Sequence, residues 1–218
     1  MQSPKQIYNK LKQFVPIEST NVLWLNTHEF LPAKPVAGAQ CRPLHFEDIR
    51  RLSLIKDFDI SPPLANDFET MGFVGIGIFI DKKLVGLSVF TTETVPAQYN
   101  KIKQRFNGVE IQLPPGTRCL IKAIVLPAFR GQRLNSAMVR HAIEHFGKDT
   151  VNAIVTTSDV GNRAFLSSLL DQGFESVGKS TEVSVLGKSI YRLPKPIDSN
   201  TGETSKDEDG CIVLVKAA

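Results

Sequence analysis

The stretch IKAIVLPAFRGQRLNSAMVRHAIEHF, Ile121 to Phe146, decides how the rest of the chain is read. An apolar strand runs into Pro127, which lacks the N–H that a continued ladder needs. From Gly131 to Phe146 the apolar residues Leu134, Met138, Ala142 and Phe146 recur at helical spacing. Strand, short basic turn and helix therefore follow one another directly. The start of a helix offers unpaired N–H groups and the positive end of the helix dipole, so phosphates bind there without elaborate side-chain chemistry. Arg130 and Arg133 reinforce that field, and Gly131 lets the backbone approach a ligand. Gln132 and Leu134 complete the turn, and Asn135 and Ser136 can bond either the first helical turn or an anion. A pyrophosphate is the expected ligand. A plain strand-to-helix connection with an exposed basic turn has the same spacing.

Working outward, Gln40–Leu44 reads as a strand and Phe46–Ile55 as a helix with Ile49, Leu52 and Ile55 on one side. Phe73–Ile80 and Leu84–Thr92 flank the polar turn Asp81-Lys82-Lys83, which predicts an antiparallel hairpin. A loop from Glu93 to Gly116 leads into the strand Thr117–Leu126. Beyond the central helix come a strand Val151–Thr157, a helix Asn162–Gln172 ended by Gly173, and strands Phe174–Lys179 and Gly187–Leu193. The expected class is α/β (α+β mixed): a central mixed, mostly antiparallel twisted sheet of about seven strands flanked by helices. Ser3, Pro4 and Gln6, followed by Ile7, Tyr8, Leu11, Phe14 and Val15, predict an amphipathic N-terminal helix. Residues 21 to 38 read as a packed extension and connector. Three parts are thus expected: 1–38 as an N-terminal helical extension, 39–194 as the main domain, and 195–218 as an acidic flexible tail with a short terminal strand.

Two motifs in order resemble the GNAT superfamily of acyl-CoA-dependent N-acyltransferases. Val125-Leu126-Pro127 and Arg130-Gly131 fit that family's strand, turn and helix signature, while Arg133 and Asn135 stand where it carries glycine and glycine or alanine. Downstream, GNRAFLSSLLDQGF, Gly161 to Phe174, resembles the family's later motif through Asn162, Ala164, Gly173 and Phe174. The resemblance covers about residues 39 to 194. It implies acetyl-CoA as acyl donor, held along Ile124, Val125 and Leu126, at the helix mouth formed by residues 130 to 136, and against Asn162 and Phe165. It also implies an amine acceptor, whose nitrogen attacks the thioester carbonyl.

That attack needs a deprotonated amine and an acid for the departing thiolate. Where many relatives place a tyrosine, this chain has Leu169 beside Ser168. The candidate catalytic residues are Glu93 at the end of one strand and Ser158 and Asp159 at the end of another. For Asp159, turn or cap chemistry is the competing role. His141, Glu144 and His145 spell an HxxEH pattern, but both imidazoles are expected inside the apolar stripe of the same helix, and no metal is expected. Two other functions fit the sequence: a nucleic-acid base-modifying enzyme resembling the phage Mom group, suggested by the basic body and by the segment from Tyr99 to Arg105, and a noncatalytic acyl-CoA-binding module.

Composition sets the frame. The chain has 218 residues, 42% hydrophobic and 22% charged, which suits one well-packed domain and excludes collagen, coiled coil and wholesale disorder. Its net charge is +4, yet residues 195 to 210 carry Asp198, Glu203, Asp207, Glu208 and Asp209 against Lys195 and Lys206, so the body is basic and the tail acidic. Such a body favours anionic ligands. Cys41, Cys119 and Cys211 form no CxxC pair, which argues against a disulfide framework and a zinc cluster. The longest apolar run, Phe73 to Ile80, is far below the ~20 residues that span a bilayer, and the opening residues have no secretory pattern. A cytoplasmic protein without membrane contact is expected, with its oligomeric state open.

Overall fold

In the computed structural model, the described residues are 17–34, 36–96, 99, 111–185, 188–192, 203–206 and 212–215. The expected N-terminal helix, the segment 100–110 and most of the acidic tail lie outside them. In chain order the elements are β1 (Ile17–Asn26), β2 (Ala39–Leu44), α1 (Phe46–Leu52), α2 (Pro62–Thr70), β3 (Val74–Ile80), β4 (Lys83–Thr91), β5 (Thr94–Val95) and β6 (Ile111–Gln112). They continue with β7 (Thr117–Val125), α3 (Leu134–Phe146), β8 (Ala153–Asp159), α4 (Arg163–Leu170), β9 (Glu175–Val185), β10 (Lys188–Arg192), β11 (Glu203–Lys206) and β12 (Ile212–Val215).

Eight strands form the main sheet in the order β10-β9-β1-β8-β7-β4-β3-β2. Only β7 and β8 run parallel; every other neighbouring pair is antiparallel. The mixed, mostly antiparallel sheet predicted above is therefore the observed architecture. A smaller sheet, β11-β12-β6-β5, takes in the terminal apolar strand expected near residue 212.

Two features depart from the sequence reading. Residues 17–26 are a strand in the interior of the sheet, paired with β8 on one side and β9 on the other, so strand pairing crosses the expected boundary at residue 38. Val22 and Trp24 face one apolar layer and Leu23 and Leu25 the other, as strand alternation requires. Residues 62–70, left unread in the sequence, form α2: Ser61 caps it by accepting from the Leu64 amide at 3.4 Å, and Pro62 occupies its first turn.

Apolar side chains cover both faces of the sheet. On one face, α3 buries Leu134, Met138, Val139, Ala142 and Ile143 against Ile76, Ile78, Val85 and Leu120, and α4 adds Leu169. On the other, α1 and α2 bury Ile49, Leu52, Leu64 and Phe68 against Leu87 and Val89. The sheet is thus sandwiched between helices, and its centre is where β7 and β8 meet.

Candidate active site

The parallel pairing of β7 and β8 covers only Thr117–Leu120 against Ala153–Thr156. Beyond that point each strand is held on its outer side alone. β7 stays on β4 as far as Val125 opposite Gly86, and β8 stays on β1 as far as Asp159 opposite Thr20. A gap opens between them. Its cause lies in the register: Val89 faces Lys122 and Phe90 faces Leu120, so Ile121 is an extra residue, a bulge placed where β7 leaves β8. Bulges bend the strand that carries them. At the apex, the Thr156 hydroxyl donates to the Leu120 carbonyl at 2.8 Å.

Backbone directions in the gap follow from the same register. The Leu126 N–H donates to the Val85 carbonyl at 2.9 Å, toward β4. Polar groups alternate sides along an antiparallel strand, so those of Ala123 and Val125 point away from β4 into the gap. The Val125 carbonyl there accepts from Arg130 Nε at 3.0 Å. Of the three expected backbone contacts, Leu126 and, by the same alternation, Ile124 are thus already committed to β4, and Val125 is the residue turned toward a ligand.

The gap opens into a cavity of about 930 Å³. One wall is the mouth of α3: Arg130, Gly131, Arg133, Leu134, Asn135 and Ser136 all line it, as do Ile124 and Val125. Gln132 and Leu126 do not. Gly131 has φ 79° and Arg133, the residue before the helix, φ 58° and ψ 24°. The turn that leads into the helix is therefore left-handed at Arg133, a side chain that favours that region less than glycine does. Asn135 is buried, and neither polar atom of its side chain has a protein partner.

The opposite wall is α4. Ala164, Ser167, Ser168 and Asp171 line the cavity at helical spacing together with Phe165, Gln172 and Asn162. The Asn162 side chain accepts from the Phe165 amide at 3.3 Å and so caps the helix. Leu169 is fully buried in the core, and the serines before it, Ser167 and Ser168, line the cavity. The Gln172 amide donates to the Ser168 carbonyl at 2.6 Å and to its hydroxyl oxygen at 3.3 Å, while Gln172 Oε1 has no protein partner. The third wall was invisible in the sequence. The segment Leu31–Ala33 straps the two helices together, its Leu31 amide donating to the Gln172 carbonyl and its Ala33 amide to Ser136 Oγ, both at 3.0 Å.

Among the candidate catalytic residues, Ser158 and Asp159 line the cavity and Glu93 does not. Glu93 follows the end of β4 that pairs with the start of β7, whereas the gap opens at the other end of β7, so Glu93 is remote from it. Its charge instead acts on Arg118. Asp159 accepts from the Gly161 amide at 2.6 Å, which is turn chemistry, and the buried Ser158 hydroxyl donates to the Asp159 carbonyl at 3.3 Å. On α3, His141 is half-buried with Nδ1 4.0 Å from Glu144, whereas His145 is exposed rather than inside the apolar stripe. Burial pushes the thiols up, Cys41 to about 11 and Cys119 to about 12. Neither thiol is an activated nucleophile.

The sequence matches no protein-family model and no curated protein. Solved structures do resemble the chain, and they give it the fold of the GNAT N-acetyltransferases. A GCN5-related N-acetyltransferase from Kribbella flavida superposes with a TM-score of 0.53 at 14% identity, over 85% of this chain and 65% of its own. A GNAT-family protein from Novosphingobium aromaticivorans gives 0.51 at 13% identity, over 77% and 65%. A conserved protein of unknown function from Staphylococcus epidermidis gives 0.53 at 10%, over 84% and 67%. This chain spans just under two thirds of the length of the first two.

Proposed function

We propose that the protein is an acyl-CoA-dependent N-acyltransferase that moves an acetyl group from acetyl-CoA to an amine of a small molecule, peptide or protein. The observation that carries this reading is that the β7–β8 gap, the mouth of α3 and the polar face of α4 share one cavity. Each supplies a part the reaction needs. The helix mouth, with Arg130 and Arg133, suits a diphosphate; the gap suits an extended chain of amides, with Val125 N–H directed at it; and a thioester carbonyl near that N–H gains a donor as negative charge develops. The acceptor nitrogen forms its bond to the carbonyl carbon as the C–S bond breaks, the amine proton leaves, and the thiolate takes up a proton. Asp159 and Ser168 are the cavity groups placed to accept and donate hydrogen bonds in that exchange.

Calorimetry with acetyl-CoA tests the donor site. The wild-type protein is expected to bind it, and Arg130→Ala and Asn162→Ala each to bind it more weakly; unchanged affinity in both overturns the placement. Asp159→Asn separates base from scaffold, because a base variant stays folded and binds donor but loses turnover. Incubating the donor complex with amines, peptides and nucleic acids and reading a 42 Da (about one acetyl group) mass gain identifies the acceptor class. Donor affinity without any such gain leaves a binding module.

A further inference from the structure

On the proposed reading, the donor's diphosphate lies at the mouth of α3 and its thioester near the Val125 amide. The same cavity is lined by two side-chain amides, Asn135 and Gln172, for which a diphosphate has no use. Asn135 is 8% exposed and Gln172 2%. Asn135 opens the buried stripe of α3 that continues through Met138, Val139 and Ala142, so it faces the sheet rather than the solvent outside the mouth. Gln172 lies just past the end of α4. The strap joins the two neighbourhoods. Its Ala33 amide bonds Ser136 Oγ and its Leu31 amide bonds the Gln172 carbonyl, and amides so close in sequence are at most about 7 Å apart.

Asn135 Oδ1, Asn135 Nδ2 and Gln172 Oε1 are buried without a protein hydrogen-bond partner. Burying an amide unpaired is costly, and protein interiors tolerate few such groups. The orientation of Gln172 is fixed: its Nε2 donates to the Ser168 carbonyl at 2.6 Å, and turning the amide over would set two oxygens against each other. Gln172 Oε1 is therefore an acceptor in want of a donor, and Asn135 adds a second acceptor beside an N–H donor. Phosphate oxygens only accept. The partner of these amides is a group that carries N–H.

We infer that Asn135 and Gln172 hold the amide-bearing pantetheine arm of the donor from the helix side, and that this arm rather than the nucleotide carries the selectivity for the donor. The arm joins the diphosphate to the thioester and is uncharged. The N–H groups of its secondary amides match the free acceptors, while Asn135 Nδ2 meets a carbonyl or hydroxyl of the arm. Binding turns both side chains toward the cavity that their residues line. Arg130 and Arg133 at the mouth are exposed, where ionic contacts are worth little, whereas hydrogen bonds made in the dry interior are strong. The family signature has glycine or alanine where Asn135 stands, so this side-chain contact lies outside that signature. The inference rests on the acyltransfer reading and specifies how its donor is chosen.

The test is calorimetry on the full chain with three probes: acetyl-CoA, S-acetylpantetheine, which keeps the arm and lacks the nucleotide, and ADP, which keeps the nucleotide and lacks the arm. Asn135→Leu, similar in volume, and Gln172→Met are each expected to weaken acetyl-CoA and S-acetylpantetheine by about tenfold and to leave ADP binding unchanged. Thermal unfolding without ligand is expected to show Asn135→Leu at least as stable as the wild type, since a buried unpaired amide is removed. Asn135→Ala, a residue the family signature allows, repeats the binding test without added bulk and decides it should either larger variant fail to fold. A loss of ADP affinity equal to that of acetyl-CoA assigns the amides to the adenine amino group and overturns the inference. Unchanged acetyl-CoA affinity in the Asn135 variants overturns it too, and makes that amide structural. So does S-acetylpantetheine that fails to compete with acetyl-CoA for the wild-type protein. Absence of acetyl-CoA binding to the wild type instead removes the acyltransfer reading itself.

Discussion

Replacing Arg133 with glycine should make the protein more stable. Arg133 is exposed, makes no side-chain cap to α3, and has φ 58° and ψ 24°. An L-residue in that region sets Cβ against the following carbonyl at a cost of about 1–2 kcal/mol. Glycine removes the clash but loses about 0.4–1 kcal/mol through its freer unfolded chain. The balance favours Arg133→Gly over Arg133→Ala by roughly 0.5–1 kcal/mol, which in a protein of this size is about 2 °C in melting temperature. Alanine is the right comparator because it removes the same charge and keeps the strain. Differential scanning calorimetry of both variants reads the difference directly. On the proposed function both lose one exposed cation at the helix mouth, worth ~0.5–1 kcal/mol, so acetyl-CoA affinity should fall two- to fivefold in each. A glycine variant no more stable than the alanine variant refutes the strain argument. A glycine variant that binds donor far more weakly than alanine shows that the left-handed turn depends on the side chain.

Other changes probe the gap and the fold around it. Thr156→Val keeps the shape of the apex but strands the buried Leu120 carbonyl, so thermal or urea unfolding should show a loss of about 1–3 kcal/mol. Gly86→Ala places a Cβ 2.9 Å from both the Ile124 carbonyl and an Ile78 methyl; β4 and β7 must move apart, at about 1–3 kcal/mol, and wild-type stability in this variant would mean that β7 yields freely. Asp48 caps α1 and pairs with Arg42. Burial pushes its carboxyl up, but the hydrogen bonds and charges of Arg42 and His45 outweigh this and hold it below the ordinary carboxylate value. Its contribution is therefore complete above the unfolded pKa, about 3.9, and is lost as the pH falls through the lower folded value. Asp48→Asn should flatten the acid limb of the stability curve, and an unchanged limb contradicts the assignment.

What the sequence made legible was what short spacing encodes. The run from β7 through Pro127 to α3 is written in neighbouring residues: an apolar strand, a residue that cannot extend it, and a four-residue apolar period. The hairpin at Asp81-Lys82-Lys83 and the helix between Asn162 and Gly173 are equally local, and all three appear where the spacing places them. β1 was obscured because its first half, Glu18 to Asn21, is polar and both its partners lie far along the chain; the run Val22-Leu23-Trp24-Leu25 was the available signal. Ser61-Pro62 was likewise a usable start signal for α2. In the site, the mouth of α3 and the end of β8 were readable from motif and position. The strap Leu31–Ala33 has no local signature, since hydrogen bonds from its backbone amides to the Gln172 carbonyl and Ser136 Oγ fix it in place. Glu93 shows the reverse error: a strand end was recognised, but which end of the sheet it occupied is a property of topology.

The interior position of β1 also dictates the order in which the sheet can be completed. A ribosome releases Ile17–Asn26 well before the strands that flank it, residues 153–159 and 175–183. Until those emerge, a ribbon containing Leu23, Trp24 and Leu25 has neither lateral neighbour. Closure across so long an intervening chain is slow, and an unpaired apolar strand is exposed to rival chains meanwhile. β1 thus passes through a long vulnerable interval, and holdase chaperones that cover it until residues 153–183 have emerged should improve soluble yield more than any change made near β3 and β4.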